Sequence, residues 1–391
     1  MERATLMDAD IDRFLHMPFL PQLCLELNTS CNLGCVYCHF APTTRRGKEA
    51  PPELLDRIKE FCRRFPIDHV TLAGDSETTL YVGWMEFARD LLDIGMKLRI
   101  ISNFCKGLFN DDEIDVLSRF QEVVISLDSD NAELMRKVRY RADLRTIVTN
   151  LQRVRAAAVL KNRPMPRLVC NITAYDRNII HIDRTVAFAL ASGFTLVQIN
   201  PFVELEEVPG GENDLRDNPN AWDVRKVDTL SPDAAMQAKE ALERAVDLCR
   251  RHGVPITMQD RLHEQLNRCL TDAPPASLSG SPPLPPESRR TKHCHFPWDY
   301  QQMTWNGDML PCCIVKDQFI GNALDPGGVA GGFNGPVMKQ YRRGLLTGEL
   351  MPACANCTYA TDTTTRRLRS SVEAMLGLTG RPEPERLGNT T

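Results

Sequence analysis

The sequence has no long hydrophobic run, no excess of charge of one sign and no internal repeat. No apolar run approaches the roughly 18 residues of a membrane span, so we expect no membrane association. The 47 basic and 51 acidic residues nearly balance at a net charge of −4, which predicts no nucleic-acid or anionic-lipid surface. The N-terminal segment lacks the basic start and apolar stretch of a secretory signal, so we expect a cytoplasmic protein.

Cysteine is the residue that stands out, with 14 in the chain. A chain of 391 residues is long enough for two or three domains and for a full hydrophobic core, so it does not need disulfides for stability. In a reducing compartment, cysteines that cluster in the sequence are first interpreted as metal ligands. The cysteine clusters are therefore the first places to look for a functional site.

Short apolar segments alternate with amphipathic helical patterns between residues 21 and 205. The six predicted strands are Leu23–Leu27, Val70–Ala73, Leu98–Ser102, Val123–Leu127, Leu168–Thr173 and Leu196–Asn200. Strands that alternate with helices form parallel sheets through right-handed crossovers. We therefore predict an α/β fold, a partial (β/α)6 TIM-like barrel whose chemistry lies at the carboxyl ends of the strands. A flat, doubly wound sheet is the structural alternative.

The rest of the chain divides by composition. The predicted units are an N-terminal arm (1–20), the barrel (21–205), a loop with closing helices (206–270), a Pro/Ser-rich linker (271–289), a small cysteine-containing unit (290–362), and a C-terminal helix and tail (363–391). A helix is expected to begin after Ser231, with Pro232 in its first position, and to end before Gly253. Asn306-Gly307 is a strong hairpin signal, so the small unit should contain a β-hairpin.

Three cysteines, Cys31, Cys35 and Cys38, follow the first predicted strand. A short loop with three thiolates can hold three irons of a 4Fe–4S cube, and Gly34 gives it backbone freedom. The fourth iron is then open to another ligand. Zinc with His39 as the fourth ligand is the alternative, but zinc sites usually combine Cys-x-x-Cys pairs that lie far apart in the sequence.

At these residues the chain resembles the radical SAM superfamily, whose signature is Cys-x-x-x-Cys-x-x-Cys after the first barrel strand. The resemblance covers most of residues 21–205. It implies that the open iron binds the amino and carboxylate groups of S-adenosylmethionine (SAM), with Tyr37 beside the adenine. It also implies reductive cleavage of SAM to a 5′-deoxyadenosyl radical, which abstracts hydrogen from the substrate. An electron donor such as ferredoxin or flavodoxin is then required.

The segment Gly74-Asp75-Ser76-Glu77-Thr78 closes the second predicted strand and resembles the family's Gly-x-Gly-Glu-Pro motif. The resemblance places Gly74, Ser76 and Glu77 near the methionine amino group of SAM. Ser76 stands where the family has glycine, and Thr78 where it has proline. Family analogues place further polar groups against the SAM ribose and carboxylate, at strand positions that match Ser102, Asn103, Ser126, Asp128 and Asn171. Each of these can equally be a turn or cap residue.

A second set of cysteines surrounds the predicted hairpin. It comprises Cys294, Cys312, Cys313, Cys354 and Cys357. From chemistry alone, four cysteines in a small β unit also describe a zinc ribbon. The arrangement is similar to the Twitch domain, a shortened SPASM domain of radical SAM enzymes, including Gly307 followed by four residues and a cysteine. That resemblance implies one auxiliary 4Fe–4S cluster bound by Cys294, Cys312, Cys354 and Cys357, with Cys313 as the alternative to Cys312.

Three other groups of side chains carry weaker hypotheses. Cys105 follows the third strand, where a thiol can donate a hydrogen atom to a substrate radical; a structural cysteine is the alternative. The basic run is interpreted as a solvated helix face and comprises Arg136, Lys137, Arg139, Arg141 and Arg145. The acidic run after the sixth strand, Glu204, Glu206 and Glu207, can bind a cationic substrate or form a solvated loop.

Together these features predict a radical SAM oxidoreductase. A fully ligated auxiliary cluster has no position for substrate, so its expected task is to take an electron from a substrate radical. The resemblance to Twitch-bearing cyclitol dehydrogenases implies oxidation of a secondary alcohol in a sugar, an aminocyclitol or a related small-molecule natural-product intermediate.

Three alternatives are kept. The first is radical modification of a ribosomally made peptide or protein, although the position of Cys31 leaves no room before it for a peptide-recognition domain in this chain. The second is epimerisation with Cys105 as the hydrogen donor. The third, from a different class, is a non-catalytic zinc-binding protein.

Overall fold

The computed structural model describes residues 11–38, 47–203, 224–270, 289–357 and 359–377. Its strands are β1 (Leu20–Leu25), β2 (Gly34–Cys35), β3 (Ile67–Leu72), β4 (Lys97–Ser102), β5 (Glu122–Ser126), β6 (Arg139–Tyr140), β7 (Arg167–Ala174), β8 (Leu196–Pro201), β9 (Ile256–Met258), β10 (Arg290–Lys292), β11 (Tyr300–Met303), β12 (Asp308–Leu310), β13 (Gly321–Asn322) and β14 (Asp362–Thr364). Its helices are α1 (Pro52–Arg64), α2 (Trp84–Asp93), α3 (Asp111–Leu117), α4 (Ala132–Val138), α5 (Leu144–Leu160), α6 (Ile182–Ser192), α7 (Pro232–Arg251), α8 (Asp260–Leu270), α9 (Phe296–Asp299), α10 (Gly328–Phe333), α11 (Pro336–Thr347), α12 (Pro352–Ala355) and α13 (Thr365–Met375).

Among the described residues, ten strands form one sheet in the order β13-β12-β11-β1-β3-β4-β5-β7-β8-β9. All neighbours from β11 to β9 are parallel. The six predicted strands are present as β1, β3, β4, β5, β7 and β8. The α/β class with a large parallel sheet is therefore confirmed, and the sheet is wider than predicted because β9 and β11 add a parallel strand at each edge.

The main core lies between this sheet and the helices. Leu23 and Leu25 of β1 are buried in it together with Leu54 of α1 and Trp84 of α2. The next residue of β1, Cys24, belongs to a separate small cluster on the other side of the strand. This alternation follows from the two-residue period of a strand, which sends apolar side chains to the helices and leaves the other face to polar groups.

The predicted helix after Ser231 is present as α7. The Ser231 hydroxyl accepts a hydrogen bond from the Ala234 amide at 3.3 Å, and Pro232 occupies the first helical position, where no amide hydrogen is needed.

None of the helices in the described ranges combines the length and hydrophobicity that a membrane crossing requires. Three predicted segments lie outside the described residues in whole or large part: the loop 206–223, the linker 271–288 and the tail after 377.

The predicted hairpin is present, and it extends the barrel sheet. Strand β11 pairs in parallel with β1, with Gln22 opposite Tyr300 and Leu25 opposite Met303. Strand β12 returns antiparallel to β11 through a turn in which Gly307 has φ +87°, a value that favours glycine. Strands β10 and β14 form a separate antiparallel pair. Backbone hydrogen bonds therefore cross the predicted boundary between barrel and small unit, and that boundary stays a prediction.

Arg342 on α11 ties the small unit to the N-terminal part of the chain. Its side chain is fully buried and donates to the carbonyl oxygens of Leu15 at 2.6 Å, Pro297 at 2.8 Å and Phe333 at 2.8 Å. A buried guanidinium is tolerated only where its donors are satisfied. These bonds join three segments that are distant in sequence.

We expect Arg342→Met to lower the free energy of unfolding by about 3 kcal/mol or more, because three buried carbonyl groups lose their donor. Urea unfolding followed by circular dichroism measures the change. The matched control is Arg343→Met, which removes an exposed ion pair with Asp12 at 2.8 Å and should cost at most about 1 kcal/mol. Equal losses in the two variants would contradict the prediction.

Candidate active site

The first cysteine set lies on the loop that follows β1. Strands β2 and β6 hold this loop against the end of α4, and the Val36 amide donates to the carbonyl of Val138 at 3.0 Å. Cys31, Cys35 and Cys38 are each partly buried. The loop is therefore fixed at one end of the parallel sheet, the end where all the strands from β11 to β9 finish.

The thiols of this loop have the chemistry of metal ligands. Burial raises the pKa of Cys31 to about 12, and the neighbouring thiol of Cys35 raises it further in the same direction. Burial also raises the pKa of Cys35 to about 12, against the opposing effect of Arg139. Grouped, buried thiolates need a cation, which iron supplies as the thiols lose their protons. Three such thiols fit three irons of a cube, and His39, the fourth zinc ligand considered, lies outside the described residues.

The carboxylate of Asp128 accepts several of the hydrogen bonds that hold this loop. It lies beyond β5, is fully buried, and accepts hydrogen bonds from Arg139 Nε at 2.8 Å and from the Thr173 amide at 2.9 Å. The Tyr37 hydroxyl also donates to it. Arg139 in turn lies 5.4 Å from the centre of the Tyr37 ring and 4.0 Å from Cys35 Sγ. Asp128 therefore holds Tyr37 and, through Arg139, the cysteine loop in place, and its contact with SAM stays a prediction.

The interpretation of the basic run as a solvated helix face was wrong for Arg139. Helix α4 ends at Val138, so Arg139 is not on the helix but in β6, where its side chain is buried. Helical spacing in the sequence does not show where the helix ends. A buried arginine beside a buried carboxylate is a structural pair that only the fold brings together.

Glu77, Ser102 and Asn103, each predicted separately as a SAM contact, lie together where β3 and β4 end. The Glu77 carboxylate accepts from the Ser102 hydroxyl at 2.8 Å and from the Asn103 amide at 2.8 Å. It also accepts from the Thr79 hydroxyl at 2.7 Å. Asn103 Nδ2 lies 3.9 Å from Cys31 Sγ. In this arrangement the carboxylate of Glu77 ties two strand ends together and places Asn103 beside the cysteine loop.

The loop between β3 and Glu77 is packed tightly on Glu26, the residue after β1. A Cβ atom at Gly74 would lie 2.5 Å from Glu26 Cβ, so only glycine fits there. The Asp75 amide donates to Glu26 Oε1 at 2.9 Å. The Ser76 hydroxyl is buried and finds no hydrogen-bond partner in the described part of the chain. An unpaired buried hydroxyl on this loop fits the polar methionine end of SAM. Glu26 was missed in the sequence because it lies within the predicted apolar strand Leu23–Leu27, which in the structure ends at Leu25.

A cavity of about 310 Å³ opens beside Tyr37. Its lining is aromatic, apolar and amide in character and consists of Tyr37, Thr173, Asn200, Pro201, Phe202, Val203, Gln259 and Tyr359. Asn171 supports this wall, because its Oδ1 accepts from Asn200 Nδ2 at 2.7 Å, and Asn200 Oδ1 accepts from Gln259 Nε2 at 3.0 Å. Ser126 is buried beside Asn171 in the β5–β7 register. A lining of flat rings and amides fits the adenosine part of SAM.

Cys105 lies in the segment after β4 and is buried against the residue that precedes α5. Its Sγ lies 3.0 Å from the backbone nitrogen of Asp143, and burial raises its pKa. The carbonyl of Cys105 accepts from Asn32 Nδ2 at 2.9 Å, so the residue supports the cysteine loop. The structure thus gives Cys105 a packing role, and hydrogen donation by it stays a prediction. The acidic run Glu204, Glu206 and Glu207 lies outside the described residues.

The second cysteine set converges on one cavity of about 480 Å³, which Cys294, Cys312, Cys354 and Cys357 line together. Burial raises the pKa of Cys294 well above its ordinary value, and the thiols of the other three raise it further. Cys313 instead packs against Cys24 and Tyr300. The described residues contain no group of three or more His, Cys, Asp or Glu side chains placed to hold a single metal ion.

We expect Gly74→Ala to disturb the loop that carries Asp75 and Ser76. The added Cβ meets Glu26 at 2.5 Å, so Glu26 or the loop must move, at a cost of about 1–3 kcal/mol in urea unfolding. Gly331→Ala is the matched control, because nothing lies within 4 Å of its Cβ position inside α10. That substitution should be neutral or stabilising by up to about 1 kcal/mol. A Gly74→Ala protein as stable as Gly331→Ala would refute the packing argument.

The chain is similar in sequence to one curated protein over a short segment, and in fold to several solved structures. A segment of 75 residues is 31% identical to a probable GTP 3′,8-cyclase of Thermoplasma volcanium, and covers 19% of this chain and 21% of that relative. Streptococcus suis SuiB bound to its precursor peptide SuiA matches with a TM-score of 0.60 at 14% identity, over 87% of this chain and 71% of SuiB. The anSMEcpe structure with bound AdoMet matches with a TM-score of 0.54 at 16% identity, over 87% of each chain. These likenesses confirm the partial-barrel fold with its C-terminal unit.

Family models cover both functional regions of the chain. The model of the radical SAM superfamily matches residues 25–188, which include the first cysteine loop and the Glu77 loop. The model of SPASM, an iron–sulfur cluster-binding domain, matches residues 294–358, which include the second cysteine set. A SAM-binding 4Fe–4S cluster and auxiliary iron–sulfur ligation follow from these matches. The chain is therefore a member of the radical SAM superfamily with a C-terminal SPASM-type domain.

Proposed function

We propose that this radical SAM enzyme oxidises a secondary alcohol of a sugar, an aminocyclitol or a related small molecule to a ketone. One observation carries the proposal: the cavity beside Tyr37 and the cavity of the second cysteine set share Gln259 and Tyr359 as lining residues. A substrate held against this common wall lies between the site of radical formation and a site that can accept an electron. Such a placement suits a reaction that removes a hydrogen atom and then an electron.

We assign Cys31, Cys35 and Cys38 to the SAM-binding cluster, and a second set of four to the auxiliary cluster. The second set is Cys294, Cys312, Cys354 and Cys357. Cys312 is preferred over Cys313 because it lines the cavity with the other three, whereas Cys313 packs on the barrel side against Cys24. Four thiolates satisfy all four irons of a cube and leave none open to substrate. An auxiliary cluster of this kind is suited to electron transfer.

When bound, SAM and the reduced N-terminal cluster supply the 5′-deoxyadenosyl radical. The chain itself must hold the carbinol C–H bond near Tyr37 and keep water out, which the aromatic side chains of Tyr37, Phe202 and Tyr359 favour. The substrate loses one hydrogen atom from carbon, then the hydroxyl proton and one electron. The products of this balance are a ketone, 5′-deoxyadenosine, methionine, one proton and one electron that leaves through the auxiliary cluster.

Amide side chains of the cavity beside Tyr37 lie at the wall that it shares with the cavity of the auxiliary cysteines. The lining amides of Asn200 and Gln259 can bind hydroxyl groups. The electron donor for the N-terminal cluster, ferredoxin or flavodoxin, stays a prediction.

Modification of a peptide or protein is the second candidate. SuiB is described with a precursor peptide, and anSMEcpe with AdoMet and the Kp18Cys peptide, and both share the fold of this chain. Their identity to this chain is 14% and 17%, so the likeness extends to the fold alone. The substrate screen below therefore includes peptides.

The ligand assignment has a direct test in iron content. Anaerobically reconstituted parent enzyme should bind about eight irons in two cubes. Cys312→Ser should lose about four of them, because it removes one of the four auxiliary thiolates. Cys313→Ser is the matched control, one residue away, and should keep all of them. Loss of iron from Cys313→Ser alone would reverse the assignment, and two zinc ions per chain in place of iron would exclude the enzyme.

The reaction is tested by anaerobic incubation with SAM, a chemical reductant and a panel of sugars, aminocyclitols and peptides. We expect 5′-deoxyadenosine from the parent enzyme together with a small-molecule product two hydrogens lighter than its substrate. Cys312→Ser should still cleave SAM but form at least about tenfold less ketone, since the substrate radical has no electron acceptor. A peptide product, or a product of unchanged mass, would contradict the proposal.

A further inference from the structure

A buried ion pair joins the SPASM-type domain to the SAM-binding region. Lys316 Nζ lies 3.1 Å from each carboxylate oxygen of Asp75, across 241 residues of sequence. The two side chains are only 8% and 15% exposed. Lys316 follows Cys312 by four residues, whereas Asp75 lies in the loop after β3. The pair therefore joins the SPASM-type domain to the loop that follows β3.

Asp75 is held from two directions. Its amide donates to Glu26 Oε1 at 2.9 Å, and the preceding Gly74 packs against the Glu26 side chain with no room for a Cβ atom. Its carboxylate is held by Lys316. The next residue, Ser76, carries the buried hydroxyl that has no partner in the described part of the chain. A contact within the barrel and a contact from the SPASM-type domain therefore both hold this loop.

The charges in this region favour the pair. Burial opposes the charged form of Lys316, but the carboxylates of Asp75 and Glu26 and the Cys313 thiol hold the pKa of its ammonium group above the ordinary value. Removal of that ammonium takes away the positive charge that lies against the carboxylates of Asp75 and Glu26. Replacing one member of a buried ion pair is costly because the other charge stays buried without compensation. The loop would then have to move toward solvent.

We infer that Lys316 is a positioning residue for SAM: through Asp75, the SPASM-type domain sets the loop that binds the methionine end of SAM. The inference rests on the family membership of the chain and holds whichever substrate is oxidised. Coupling of this kind is reciprocal, since a contact that improves SAM binding must itself be strengthened when SAM binds. The SPASM-type domain would then stabilise SAM binding as well as accept electrons.

The first test measures SAM affinity in the reconstituted holoenzyme by titration calorimetry. Lys316→Met should weaken SAM binding by about tenfold, within the range of about 5- to 150-fold that is typical of coupled sites. The control is Lys97→Met, which removes the Lys97–Asp68 pair at 2.7 Å. This pair joins the amino ends of β3 and β4, whereas the Asp75 loop follows the carboxyl end of β3. Its affinity should stay within about twofold of the parent, and an equal loss in both variants would overturn the inference.

The second test separates positioning from general damage to the fold. The double variant Lys316→Met/Asp75→Asn removes both charges of the ion pair, so it should bind SAM more tightly than Lys316→Met alone, with a gain of about threefold or more. Binding as weak as in the single variant would overturn the inference. This comparison remains valid if Lys316→Met loses some iron, because affinities are compared per bound cluster.

The third test uses reciprocity and needs no turnover. Addition of SAM to the holoenzyme should slow amide hydrogen exchange in residues 314–318, because the Lys316 contact tightens. The same segment should show no SAM-dependent change in Lys316→Met at saturating SAM. Slowing of equal size in both proteins would show that SAM acts on this segment by another route, and the inference would fail.

Discussion

The position of β1 between β3 and β11 is the constraint on which the rest of the site depends. β1 hydrogen-bonds to both strands in parallel, and its carboxyl end continues into Glu26 and then into the first cysteine loop. β11 belongs to the SPASM-type domain, so its pairing with β1 sets the distance between the two cysteine sets. A parallel ladder fixes strand register, because a shift of one residue would send Leu23 and Leu25 away from the core. The core of the barrel therefore also fixes the relation between the two metal-binding regions.

Buried carboxylates at the strand ends act mainly as structural links. Glu77 joins the ends of β3 and β4, Asp128 joins β5 to β6 and β7, and Glu26 joins the end of β1 to the Asp75 loop. Each accepts hydrogen bonds from groups on neighbouring segments, so its desolvation is compensated by partners that are fixed in space. Contacts within the chain therefore hold these strand ends in place. Rigid placement of binding groups is what reactions of short-lived radicals require, since a loose site would allow side reactions.

The sequence was sufficient for the features that depend on local patterns. The alternating apolar segments predicted six strands of the barrel, and the Cys-x-x-x-Cys-x-x-Cys spacing and the Gly74–Glu77 loop marked the site. It was insufficient where contacts join distant residues. The parallel pairing of β11 with β1, the burial of Arg139 and the Lys316–Asp75 pair depend on residues that are far apart in the chain. No local periodicity encodes such contacts, and β9 is too short, at three residues, to give a clear strand pattern.

The same long-range contacts make the SPASM-type domain part of the barrel mouth. It supplies β11, the first strand in the parallel part of the sheet, and Tyr359 beside Gln259, which follows β9, the last strand of that part. A domain that contacts both ends of the parallel strand series closes the open side of a partial barrel. In the proposed reaction, the contacts that enclose the substrate are also the contacts that bring the second cysteine set near it. Enclosure of the substrate and electron transfer would then depend on one packing arrangement.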